Sequence, residues 1–125
     1  MEKITIAAKK ENFSKIKKII KTLTPGVKVN FIIQGPETAG TLLFFDRKKI
    51  SCGFFEGADF MASDINITEE GTNFKLNYNG NSVPVWLKNK FEKEEIGIIL
   101  PAICVAVLSG FNMIGISETL KNLPF

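Results

Sequence analysis

At 125 residues and 13.9 kDa the chain has room for one domain with one core. Forty-five per cent of it is hydrophobic and eleven residues are phenylalanine, which excludes a disordered polymer. It contains no histidine, so the commonest general base near neutral pH and the commonest metal ligand are both missing, and its net charge of +3 is mild but uneven.

Residues 3–8 alternate, with Ile4, Ile6 and Ala8 on one side and Lys3 and Thr5 on the other, which predicts a half-buried strand. Over residues 12–23 the period lengthens. Phe13, Ile16, Ile19, Ile20 and Leu23 fall on one helical face, and Lys15, Lys17, Lys18 and Lys21 on the opposite one. Between Lys9 and Lys21 six lysines meet a single glutamate. Thr24-Pro25-Gly26 ends this helix, and Val27, Val29, Phe31 and Ile33 then alternate with Lys28, Asn30 and Ile32 as a second strand.

Residues 35–41, GPETAGT, approach the phosphate-binding pattern G-x-x-x-x-G-K-[ST]. Thr41 stands where the phosphate-reaching lysine belongs, and a strand-like LLFF follows where a helix is needed, so a plain loop is expected. TLLFFD (41–46) and KISCGFFE (49–56) read as a hairpin joined near Asp46-Arg47-Lys48. Both arms are apolar on both faces, which places the hairpin centrally or under cover on both sides. Ile65 and Ile67 begin a further strand, closed by Glu69-Glu70-Gly71. Phe74, Leu76 and Tyr78 alternate up to Asn79-Gly80, the favoured two-residue hairpin turn. Val83, Val85 and Leu87 form the return strand, and Pro84 assigns it to a sheet edge. KNKFEKEE (88–95) reads as a charged connector.

The run IGIILPAICVAVLSGFNMIGI, residues 96–116, carries no charge over 21 positions. That length meets the rule for a membrane-spanning helix, and a tail-anchored membrane protein is one alternative. Gly97, Gly110, Gly115, Pro101, Ser109 and Asn112 weigh against insertion, and a buried core segment is the favoured reading. Ile96 to Leu100 is expected to be a short buried strand, with Pro101 opening a helix that Gly110 stops. Ser117 is expected to cap a last short helix over residues 118–123.

The opening strand, basic helix and following strands, up to Met61, resemble in their order the first half of a sliding-clamp domain, and no residue roles follow from this. The opening MEKITIAAKKE lacks the apolar stretch of a signal peptide, so a cytoplasmic protein is expected. Cys52 and Cys104 stand in apolar contexts and are expected to serve packing.

Residues 1–125 are thus read as a single α+β domain. Its expected parts are a mainly antiparallel curved sheet, an amphipathic basic N-terminal helix, and an apolar C-terminal helix packed on or inside the sheet. No motif for catalysis, cofactor or metal is complete, and paired chemistry among Asp46, Glu56, Asp59 and Asp64 yields to their ordinary use in turns and loops. The expected function is a non-enzymatic binding or protein-interaction module. Its apolar surplus, Phe54, Phe55, Phe60, Phe111 and Met113, would meet another protein or a second copy in a homodimer. The alternative is association with nucleic acid through Lys15, Lys17, Lys18 and Lys21. Against it, the single arginine is Arg47, and no tyrosine or tryptophan lies nearby for stacking.

Overall fold

The structure is a computed structural model that describes residues 4–35 and 40–123. Seven strands, β1 (Ile4–Ala8), β2 (Val29–Ile33), β3 (Thr41–Phe45), β4 (Lys48–Gly53), β5 (Phe60–Thr68), β6 (Gly71–Tyr78) and β7 (Asn81–Leu87), form one sheet in the order β2-β1-β3-β4-β5-β6-β7. Three helices accompany them: α1 (Phe13–Leu23), α2 (Lys93–Leu108) and α3 (Met113–Lys121). The architecture is α+β, as read from the sequence, but the sheet is mixed and open rather than mainly antiparallel. β1 pairs with β2, and β4 with β5, in parallel; the other four pairings are antiparallel.

The first parallel pair follows from the β1–α1–β2 crossover, which returns the chain in its starting direction. The second has a different cause. Only two residue pairs join β4 to β5, Cys52 with Phe60 and Gly53 with Met61, after a connection too short for a helix. Asp59 makes it hold. Its carboxylate accepts the Ser51 N–H at 2.8 Å, and its own N–H donates to the Ser51 hydroxyl at 3.1 Å. A side chain thus supplies ladder bonds that the backbone cannot reach, and Gly57, at φ +92°, lets the loop turn back.

Inward positions of the strands, among them Ile6, Leu43, Cys52, Phe74, Leu76 and Val85, are buried beneath the helices. Outward positions such as Phe44, Lys49, Lys75 and Trp86 are exposed, so the β3–β4 hairpin is central in the sheet but covered on one face only. Of the three two-residue hairpins, the turn at Glu69-Glu70 between β5 and β6 uses no positive φ, and the other two each use two such residues. Asn79 and Gly80 do so at 48° and 76°, Asp46 and Arg47 at 48° and 66°. Pro84 lies in the edge strand β7, as its missing N–H requires.

The expected strand at Ile96 to Leu100 is instead part of α2, which runs unbroken through Pro101. Its start lies in the stretch read as a connector. There the Glu95 carboxylate accepts the Glu92 N–H at 3.0 Å, and Glu94 and Glu95 face the positive end of the helix dipole. Its end is where glycine placed it. Gly110 N–H donates to the Val107 carbonyl and Phe111 N–H to that of Ala106, the paired bonds of a Schellman motif. α3 begins earlier than expected, because Asn112 rather than Ser117 caps it, accepting the Ile114 N–H at 2.7 Å. No described helix is long and apolar enough to cross a membrane.

α2 sits on β3, β4 and β5 and packs against both α1 and α3, which also touch each other. From Ile99 to Ala106 every residue is buried. Ala106→Asp should therefore cost about 4 kcal/mol or more, because a carboxylate there finds neither water nor a partner. Val107→Asp, at a half-buried position, should cost roughly half as much; chemical denaturation of the two variants checks the difference. Arg47→Gly should stabilise the protein by about 0.5–1 kcal/mol, since arginine occupies a backbone region that glycine enters freely. A lowered melting temperature would show that the Arg47 side chain contributes more than its backbone costs.

Candidate functional site

Five element ends converge at one end of the sheet. β1 finishes at Ala8 and passes through Lys9 and a 3-10 turn, Lys10–Asn12, into α1. β2 finishes beside it, where Gln34 N–H donates to the Ala8 carbonyl at 2.9 Å. Gly40 and Thr41 open β3, Cys52 and Gly53 close β4, and α2 presents its first two turns across the gap. Between them lies a cleft of about 590 Å³. Ligand sites of open sheets with parallel strands form in this place, beyond the carboxyl ends of the strands and beside helix N-termini.

Its floor is apolar: Cys52, Gly53, Phe54, Gly97 and Ile98. Phe54 faces Gly97 on α2, where an added Cβ would sit 3.5 Å from its ring, and the Lys93 ammonium stands 4.9 Å from its ring centroid. Phe55 takes the other direction and packs on Gly40 and Gly53, where neither glycine leaves room for a Cβ. The Gln34 amide donates to the Gly40 carbonyl at 2.6 Å and holds the mouth of β3 against the end of β2. Pro101, one helical turn beyond Gly97, has no N–H to give the Gly97 carbonyl, so a backbone acceptor is freed on the turn that forms the cleft wall.

The rim is charged with both signs. Lys9, Glu11 and Lys15 come from the β1–α1 side, Glu94 and Glu95 from α2, and all five are exposed. Among the described residues none of the five is engaged in an ion pair. A smaller depression of about 250 Å³ continues from the cleft between α1 and α2; the two share Lys15, Glu95 and Ile98, and the smaller adds Lys18, Ile19, Phe91 and Ile99. The result is a groove with an apolar bed and charged margins.

Behind the floor Cys104 of α2 is fully buried. Burial first, and a hydrogen bond with the Cys52 thiol second, push its thiol well above the usual range.

The lysines read from the sequence all lie on the solvent side of α1, but Lys15 and Lys18 border the groove opposite Glu95, whereas Lys17 and Lys21 face water. The apolar candidates are dispersed. Phe54 and Phe55 stand at the cleft, and Phe60 is buried in the core with its ring stacked on Tyr78 at 5.0 Å. Phe111 and Met113 lie beyond the far end of α2, about 20 Å from Gly97 at 1.5 Å per helical residue. None of the carboxylates weighed as an acid–base pair borders the cleft. Asp46 is in a hairpin turn, Asp59 bonds Ser51, Asp64 pairs with Lys75 at 3.3 Å beside a bulge, and Glu56 borders a separate depression with Asp59. The phosphate-loop pattern falls largely outside the described residues. No sequence pattern marks Lys9, Glu11, Gln34, Glu94, Glu95, Gly97 and Ile98 as a site; the one local signal among them is the run of carboxylates from Glu92 to Glu95 that opens α2.

No family model matches the chain, and no curated protein matches it. Two crystal structures of MurF from Acinetobacter baumannii are similar to part of it. Each is 25% identical over 58% of this chain, with a TM-score of 0.49, and the match covers 15–16% of the ligase. A structure of UDP-N-acetylmuramoylalanyl-D-glutamyl-2,6-diaminopimelate--D-alanyl-D-alanyl ligase from the same organism is 23% identical over 58% of this chain and 16% of its own, with a TM-score of 0.48. This chain thus matches about a sixth of those enzymes, and no residue role is carried over from them.

The cleft depends on the contact of Gly40 with β4. Gly40→Ala would set a Cβ against the Cys52 carbonyl, at a φ of +68° that alanine resists. The substitution should cost about 1–3 kcal/mol, measured by thermal denaturation. An unchanged transition would mean that β3 and β4 do not close as described.

Proposed function

We propose that the protein is a non-catalytic binding module whose ligand lies in the cleft at the carboxyl ends of β1, β2 and β4. The observation that carries this reading is the combination of an apolar floor with a rim of lysines and glutamates that make no ion pair among the described residues, at a place where five element ends meet. Such a site offers desolvation to the body of a small molecule and charge recognition to its ends. At about 590 Å³ the cleft fits a compact metabolite with an apolar part and at least one ionised group. The acids and lysines at the rim act as recognition charges, oriented by the first turns of α1 and α2.

Amide chemical shifts of the labelled protein, titrated separately with free amino acids, dicarboxylates and nucleoside monophosphates, test the reading. One class should shift Lys9, Gly53, Gly97 and Ile98 and leave the outer sheet face unmoved. Ile98→Arg, which places a long cation in the groove, should weaken that binding tenfold or more, about 1.4 kcal/mol. Lys17→Gln, on the solvent side of α1, should leave it unchanged. Shifts confined to other surfaces, or binding indifferent to Ile98→Arg, would move the ligand site elsewhere.

A further inference from the structure

The sheet has two edges, and they are finished differently. β7 carries Pro84 within the strand, a residue that discourages further pairing. β2, at the other edge, is the run VNFII, with no charge, proline or bulge. Its bonds to β1 fix which of its groups remain. Gln34 N–H donates to the Ala8 carbonyl at 2.9 Å, and along a parallel ladder the residues that bond a given neighbour alternate. Asn30 and Ile32 therefore turn their N–H and C=O groups toward β1. Val29, Phe31 and Ile33 turn theirs outward, where no described strand pairs with them.

This edge is apolar on both faces and basic along one side. On the helix side the Phe31 ring is stacked on Phe13 of α1 at 4.9 Å, and Ile33 is 69% exposed. On the outer side Ile32 is 48% exposed and ends a cross-strand row that runs through Ala7 to Leu42. Lys17 and Lys21 follow Phe13 at four-residue steps, so they line the flank of α1 above the edge. Lys28 stands just before β2, and all three lysines are exposed and make no ion pair among the described residues. A second copy paired through β2 about a twofold axis would set these lysines against their own counterparts, so the charge favours an acidic partner.

We infer that the β2 edge is a docking site for an extended segment of another protein in which apolar residues alternate with glutamates. The segment adds a strand beside β2, its backbone bonded to the N–H and C=O groups of Val29, Phe31 and Ile33. Its apolar side chains cover Ile32 on the outer face. On the helix side the stems of its glutamates cover Ile33 while their carboxylates reach Lys17 and Lys21. None of these residues of the chain lines the cleft, so the two sites are independent.

Amide hydrogen exchange of the labelled full-length chain, read by NMR with a synthetic peptide of alternating valine and glutamate, tests the proposal. Exchange at Val29, Phe31 and Ile33 should slow by about tenfold or more, whereas Asn30 and Ile32, already bonded to β1, should change little. Lys17→Glu combined with Lys21→Glu should weaken the peptide by about tenfold or more. Ile33→Pro, which removes one outward N–H and leaves the flanking bonds to β1, should do the same. If the proline variant does not fold, the peptide N-methylated at every amide replaces it as the control and should not bind the natural chain. No slowing at millimolar peptide, equal binding of a valine–lysine peptide, or protection of the same three amides by self-association without peptide would overturn the proposal.

Discussion

A helix with no polar side can stand only where protein surrounds it, and α2 is such a helix along most of its length. The sheet lies beneath it, α1 and α3 pack against it, and every residue of its stretch from Ile99 to Ala106 is buried. The amphipathic α1 follows from this need. Its Ile16, Ile19 and Ile20 are buried in the core it shares with α2, which leaves the lysines outside. The one-sided sheet follows too, since helices on a single face give the inward strand positions their cover.

The same helix changes character at its beginning. Lys93, Glu94 and Glu95 leave the core and meet the ends of β1, β2 and β4, so the cleft forms where an apolar rod becomes charged. Pro101 adds to this by withholding a hydrogen bond from the Gly97 carbonyl. Close packing of Phe55 on Gly40 and Gly53 fixes the strand side of the cleft, while the Phe54 ring faces Gly97 on the helix side. The cleft is therefore framed by backbone and aromatic rings, and long flexible side chains are confined to its rim.

Local chemistry was legible where one short stretch decides the outcome. The alternation of β1, the two faces of α1, the turns at Asp46-Arg47 and Asn79-Gly80, the edge position of Pro84 and the stop at Gly110 all belong to that kind. The error at Ile96 to Leu100 has a definite cause. A short apolar run rich in isoleucine fits a buried strand and a buried helix equally, and periodicity cannot separate them. The evidence that separates them lay just before it, in the carboxylates from Glu92 to Glu95 that open the helix. Nothing local announces that Asp59 completes the ladder of Ser51 and so creates a parallel pair, because that contact exists only after the loop has closed. The cleft was hidden for a related reason: residues from Lys9 to Ile98 contribute to it singly, and no two neighbouring elements contain its pattern.

The position of α2 in the chain gives its burial a meaning in time. A ribosome releases β3 through β7 before it releases the helix that will lie on them. Until residue 108 has emerged, Leu43, Cys52, Phe60, Phe74, Leu76 and Val85 share a face with no roof. α1 is available early but reaches one flank of that face. The strands can pair during this interval, yet the apolar side they build faces the cell's interior unprotected, the condition under which nascent chains stick to one another. Closure then comes late and from the last part of the chain, when α2 reaches β3, β4 and β5 and α3 follows on β7.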